Sequence, residues 1–498
     1  MASQKENFSS LNKILCDIQD LKSISNVLIW DQSTHMPVNG AAMRGRQFST
    51  LGKLTHEKFV GTEVKNLLNS LEGYENSFPY ESYESSLLRF VRKEFAKATK
   101  LSPSFVNTML EHQAASYDMW IKARAENNFK LIEPYLEKTL ELSKTYAQHF
   151  EHEHIADPLI AESDEGFSAK QLKVIFQNLR QALVPLVDQV TKKEHVDDSC
   201  LTKHYPIDKQ EKFNKYLVES LGYNFNSGRI DTTHHPFMIT FSHGDVRITT
   251  RYKENNLAES LFSSIHEMGH AFYELGVDPS LDGTFLYGGT SSGVHESQSR
   301  LWENIVARSK HFWQHYYPIL QKEFPQNLAS VSLNEFYKSI NKVSKSLIRT
   351  DADELTYNLH VTIRFDLELE MLEGNLKICD LPQAWNERYK KDLGVDVKSD
   401  DHGCLQDVHW FSSLIGGQFQ GYTLGNIMSA QFYAAAVRAN PTLESEIAVG
   451  EFGTLRTWLR NNLHQYGKKF TGLEVLKKAT GQDLNIDPYI SYLKRKFL

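Results

Sequence analysis

Cysteine is scarce, at four in 498 residues. Cys16, Cys200, Cys379 and Cys404 stand far apart and make no CxxC pair. That excludes the disulfide framework of a small secreted domain, and reads as reduced thiols in a cytoplasm. Long apolar runs are also missing. No stretch reaches the ~18 residues that mark a membrane-spanning helix, and residues 1–20 mix polar and apolar types without a signal peptide's core. Positive charge is in deficit, since 55 Lys and Arg against 62 Asp and Glu leave a net charge of −7. The basic residues are dispersed, so there is no footprint for nucleic acid or for an acidic membrane. What remains is globular composition, 41% hydrophobic and 23% charged, enough to bury one large core or two joined ones.

From Phe8 to about Glu151 apolar residues recur three and four apart, as in Leu87, Leu88, Phe90, Val91 and Phe95, which predicts a helical layer. Breaker-rich stretches, Glu72 to Ser82 and His195 to Asp208, read as loops. Neither is long enough for a flexible linker, so the chain is expected to form a single domain over 1–498. Between Phe237 and Tyr252 the period changes to two. Phe237, Ile239 and Phe241 alternate with Met238 and Thr240, then Val246, Ile248 and Thr250 with Arg247, Thr249 and Arg251, predicting a β-hairpin turned at Ser242 to Asp245. Next, Asn256 with Glu259 resembles a capping box, and an apolar stripe runs from Leu257 to Leu275 before Gly276. A Gly-rich loop, Asp278 to Gly293, leads to a second helix expected over Val294 to Phe312. No internal repeat is visible.

His266, Glu267, Met268, Gly269 and His270 spell H-E-x-x-H on the first of these helices. Residues four apart on a helix have Cβ atoms ~5–6 Å apart, so both imidazoles reach one ion while Glu267 faces a water on it. Zinc suits this pattern, because three protein ligands leave a fourth position open for a water whose pKa falls to ~7. Cobalt or manganese are competing ions. The third ligand is expected to be Glu296, 26 residues beyond His270 on the return helix, with His295 as the alternative. With twenty histidines in the chain, composition alone does not settle the pentapeptide; the helix, its start and end signals and the second helix with its carboxylate carry the assignment.

Two other readings start from the same region. Gly289, Thr290, Ser291, Ser292 and Gly293 spell the G-x-S-x-G of a serine nucleophile elbow, but such an elbow tops a sheet of several βα units, and here there is one hairpin among helices. A helical peptide-binding module with a structural metal is the other. Glu267 argues against it, since a closed structural site has no use for an unligated carboxylate beside the ion.

The motifs resemble those of the thermostable-type, Taq-like metallocarboxypeptidases over nearly the whole chain. His235-Pro236-Phe237 matches the family's H-P-F, and Asp245 to Thr249 its D-x-R-x-T. His295 to Gln298 matches H-E-S-Q, Ile348 to Asp353 matches I-R-x-x-A-D, and Gly403 to Trp410 matches G-x-x-Q-D-x-H-W, all in the family's order. Trp30, Asp31, Gln32, Met36 and Pro37 look like its opening segment. The resemblance implies a mainly α, two-lobed helical zincin-like peptidase fold with a long active-site channel, a homodimer, and release of single residues from peptides with a free C-terminus. An oligopeptide endopeptidase is the alternative, since metal chemistry does not dictate where the peptide is cut.

Within that frame Arg349 is the expected partner of the substrate carboxylate, because a guanidinium accepts it as a planar fork. Arg247 is second, placed on a strand read as an edge able to hold an extended peptide; His235 joins the substrate-binding set through its motif. His409 and Tyr422 are candidates to donate to the carbonyl oxygen as charge develops there. Asp353 and Asp407 are expected to orient a ligand or an arginine.

Overall fold

Helix follows helix through most of the computed structural model, which describes residues 3–193 and 195–498. Small polar residues start several of them. Ser82 accepts from the Ser85 amide to begin Tyr83–Lys100, which buries Leu87, Leu88 and Val91. The predicted loop Glu72 to Ser82 holds a short 3-10 turn, Tyr74–Ser77; the loop His195 to Asp208 holds another, Ser199–Leu201, and gives way to a helix at Ile207.

Two hydrophobic cores result. The smaller collects Leu11, Leu15 and Ile18 from the first helix, Gln4–Thr34, together with Leu68 and Leu88, and closes on Val277, Leu281 and Phe285. Those last three follow the H-E-x-x-H helix directly. The larger core runs from Ala123 to Leu493 and takes in that helix itself. The motif helix is therefore anchored in one core while the loop leaving it is anchored in the other.

A three-stranded sheet, β1 Ile230–Thr232, β2 Met238–Ser242 and β3 Asp245–Thr250, precedes it in the order β1-β3-β2. β2 and β3 form the predicted hairpin, pairing Ile239 with Arg247. β1 lies parallel to β3 and pairs Ile230 with Ile248; at three residues it is too short to show alternation. Its presence corrects one expectation: Arg247 sits on the central strand, both of whose edges are taken, so β3 cannot add a peptide as an edge strand would. The outer side of β2 is covered by the first helix, where Asn26 Nδ2 donates to the Thr240 carbonyl at 2.9 Å.

The motif helix spans Leu257–Gly276 and is capped by Asn256, which accepts from the Glu259 amide at 3.2 Å. Glu259 turns away from the reciprocal half of a capping box, toward Arg251 and Lys253. The return helix is shorter than expected. It spans Ser292–Arg300, continues as a π turn over Leu301–Val306, and ends because Ser309 caps a new helix, Lys310–Glu323, by accepting from the Phe312 amide.

Candidate metal centre

Two glycines let the return helix lie against its neighbours. A Cβ at Gly269, inside the H-E-x-x-H motif, would stand 2.7 Å from the Gln298 carbonyl oxygen, and one at Gly425, on helix Gln420–Ala439, would stand 2.5 Å from Glu296 Cγ. Backbone therefore meets backbone on both sides of Glu296, and its carboxylate enters the space in front of the two histidines. The donor atoms of His266, His270 and Glu296 all lie within 4.8 Å of one another. Both imidazoles face the carboxylate through Nε2, at 3.7 Å from His266 and 3.5 Å from His270 to the same Oε2. Two imidazoles and one carboxylate so gathered fit a tetrahedral divalent ion with one position open.

Each donor is held from behind. His266 Nδ1 lies 2.9 Å from Glu303 Oε2, and Glu303 sits on the π turn. Arg300 Nε donates to Glu296 Oε1 at 2.6 Å, leaving Oε2 to the histidines. His270 Nδ1 meets His295 Nδ1 at 2.6 Å, and His295 Nε2 lies 2.9 Å from Glu274 Oε1. His295, the alternative third ligand, thus stands behind His270, while Glu296 faces both imidazoles.

Burial disfavours charge on every one of these groups, and their partners decide the outcome. At His266 burial is outweighed by the Glu296 and Glu303 carboxylates, and its pKa rises. At His270 burial prevails and holds the pKa down to about 4, keeping the imidazole in the neutral form a metal takes. Glu296 is kept well below the usual carboxylate range against its burial, chiefly by Arg300 and His266. Glu303 is likewise held down, to about 2, by His266 and Arg300. Glu267 is pushed up to about 7 by its burial. The guanidinium that takes Glu296 and Glu303 makes no hydrogen bond to it among the described residues.

A second charged cluster lies on the far side of Tyr357. Arg300 Cζ is 4.6 Å from the centre of that ring, and the Tyr357 hydroxyl accepts from Arg349 Nη1 at 2.8 Å. Arg349 also donates from Nη2 to Asp407 Oδ1 at 2.8 Å, and Arg364 donates from Nε to Asp407 Oδ2 at 2.5 Å. Two guanidiniums against one carboxylate leave one positive charge over. Burial works against the Asp407 charge, but the two arginines hold its pKa well below the ordinary range. His409 Nε2 and the Tyr422 hydroxyl lie 3.3 Å apart, and Arg349 Cζ is 5.0 Å from the Tyr422 ring centre. Burial keeps His409 neutral, with a pKa near 4, and raises Tyr422 to about 12.

The remaining expected residues are placed unequally. His235 is near enough to Arg349 and His266 for both to disfavour its charge, after burial. Arg247 is occupied locally, donating from Nε and Nη2 to Asp245 at 2.8 and 2.7 Å and lying 4.6 Å from the Phe241 ring centre. Among the described residues Asp353 pairs with no arginine; it accepts from the Ser344, Leu355 and Thr356 amides and fixes a loop. In the G-x-S-x-G stretch Ser291 caps the return helix by accepting from the Val294 amide. Sequence reasoning missed Glu274, Arg300, Glu303, Tyr357 and Arg364. Three had a signal in spacing: Glu274 continues the series 266, 270, 274, and Arg300 and Glu303 follow Glu296 by four and seven, one helical face in each case.

Comparison with known proteins agrees over the chain's length. A family model described as carboxypeptidase Taq (M32) metallopeptidase matches residues 10–497. Carboxypeptidase 1 of Bacillus subtilis (strain 168) is 35% identical across 99% of this chain and 98% of that one. Thermostable carboxypeptidase 1 of Thermus thermophilus is 35% identical across 96% and 95%. The crystal structure of the M32 carboxypeptidase from Deinococcus radiodurans R1 superposes with a TM-score of 0.96, at 45% identity over 99% of each chain. Among the described residues no helix is long and apolar enough to cross a membrane.

Proposed function

The chain belongs to the carboxypeptidase Taq (M32) metallopeptidase family, a family of peptide hydrolases, and on that premise we propose that it is a zinc carboxypeptidase with Glu267 as general base. One observation carries the reading. A three-donor cluster with a buried carboxylate beside it is joined, through Tyr357, to an arginine cluster holding one surplus positive charge.

His266, His270 and Glu296 would hold the ion. When bound, zinc supplies Lewis acidity and acidifies a water to a pKa of ~7, and cobalt or manganese suits the same donors less closely. Glu267 takes the proton from the attacking water; it is buried beside the donors and receives no hydrogen bond from Arg300 among the described residues. His409 and Tyr422 donate to the carbonyl oxygen as it gains charge, and both hold their protons near neutrality because neither is close to ionising. The free C-terminal carboxylate of the peptide pairs with Arg349, whose remaining N–H groups carry the charge that Asp407 does not cancel. His235 lines the approach to it.

The same reading takes residues 1–498 as one catalytic domain, working in the cytoplasm as a homodimer, a state that light scattering would check. Zinc-loaded protein is given one peptide with its C-terminus free or amidated, and products are followed by mass. Loss of single C-terminal residues from the free peptide alone is the expected result. Internal cleavage of both would replace the proposal with an endopeptidase.

A further inference from the structure

The backing of His270 differs from that of His266. His266 rests directly on the Glu303 carboxylate, whereas His270 reaches a carboxylate only through a second imidazole, His295. Two ring nitrogens 2.6 Å apart hold one proton between them and not two. If His270 binds the ion through Nε2, its proton is on Nδ1 and is donated to His295. His295, accepting at Nδ1, then carries its own proton on Nε2 and donates it to Glu274 Oε1, 2.9 Å away. Glu274 Oε1 also accepts from the Gly289 amide at 2.8 Å. Every proton in this row has one consistent place.

The surrounding chain is cut to fit the row. The Tyr273 ring centre lies 5.2 Å from that of His295. A Cβ at Gly289 would stand 2.6 Å from Tyr273 Cε1 and 2.7 Å from His295 Cδ2. This gives the first glycine of the G-x-S-x-G stretch a physical reason that has nothing to do with a serine nucleophile: it brings its amide to Glu274 where no side chain has room.

We propose that His295 and Glu274 are positioning residues of the metal centre, forming a histidine-to-carboxylate relay that fixes the tautomer and ring orientation of His270. The proposal rests on the ligand set given above. Partners of this kind govern metal affinity as well as ring position.

The test reads metal binding and ring protons. Zinc affinity is measured by chelator competition on the full chain for the parent, H295F, H295Q and E274Q. H295F keeps the ring shape but offers no acceptor and should bind zinc about 10- to 100-fold more weakly. H295Q, whose amide oxygen accepts from His270, should recover part of the loss. E274Q, the variant least able to disturb folding, should fall between H295F and parent. In the cobalt-loaded parent, proton NMR should show two hyperfine-shifted exchangeable N–H resonances, from Nδ1 of His266 and His270, and H295F should lose one to exchange with water. H295F binding zinc within about twofold of parent, with both resonances kept, overturns the relay while leaving the ligand set standing. A parent without two such resonances overturns the ligand set, and the relay with it.

Discussion

Asp407 holds one side of Arg349: its Oδ1 lies 3.0 Å from Nε and 2.8 Å from Nη2 of the guanidinium. The arginine is thereby locked before any peptide arrives, and a carboxylate that meets it finds a charge already oriented. Such a contact is worth ~1.5–3 kcal/mol, so amidating the peptide or making Arg349→Ala should each cost roughly 10- to 150-fold in kcat/KM. The two losses should not multiply, as in a double-mutant cycle. Equal amidation penalties in parent and variant would remove Arg349 from this role and send the search to Arg247.

Removing Asp407 should damage stability more than removing Arg349. Asp407→Asn would leave Arg349 and Arg364, both buried, facing one neutral amide. Breaking a buried pair from one side costs ~3–5 kcal/mol. Urea unfolding of the two variants should place Asp407→Asn clearly below Arg349→Ala; the opposite order would mean that Asp407 is not the keystone of the cluster.

Glu267→Gln should keep its metal and lose activity, because the amide preserves shape and cannot take a proton. A fall in kcat of ~10²- to 10⁴-fold is expected, with metal content measured on the same sample. Full metal together with near-normal turnover would exclude Glu267 as the base.

Glu296→Ala removes the one carboxylate that faces both histidines, and its metal content after dialysis should drop well below that of the parent. Normal zinc content would mean that another group supplies the third bond.

Stability should fall as pH rises through the neutral range because of Glu368. Its carboxyl is fully buried, receives a hydrogen bond from Trp410 Nε1 at 2.9 Å, and has its pKa pushed up to about 8 by burial from the ordinary 4.5. The folded chain therefore keeps a proton that the unfolded chain gives up above pH 4.5. Stability from the neutral form is complete below that pH and is lost as pH climbs through about 8. Glu368→Gln cannot ionise, so the fall in its Tm between pH 5 and 8 should be smaller by a few degrees. Parallel curves for variant and parent would refute the assignment.

The chemistry that lies close together along the chain was legible in the sequence. H-E-x-x-H on a capped helix, with Glu296 on the helix that returns, needs only helical spacing and a turn. Arg349, His409 and Tyr422 became candidates through motif resemblance, because no local period joins residues so far apart. Arg364 and Tyr357 were invisible: one is a buried arginine in an apolar-rich helix, the other an ordinary aromatic, and each acts through contacts made only after folding. The strand β1 escaped for a different reason. Three residues cannot display a period of two, and that omission alone turned a central strand into an expected edge.

The amide of Asn26 on the Thr240 carbonyl makes the first helix a lid over an open row of main-chain groups. A strand edge left bare is a template on which another chain can pair. Cleavage in the turn near Met36–Pro37 that released this helix would therefore do more than trim the smaller core. It would expose β2, whose alternating Met238, Thr240 and Ser242 are flanked by Ile239 and Phe241, and leave the sheet an edge on which a second chain could pair.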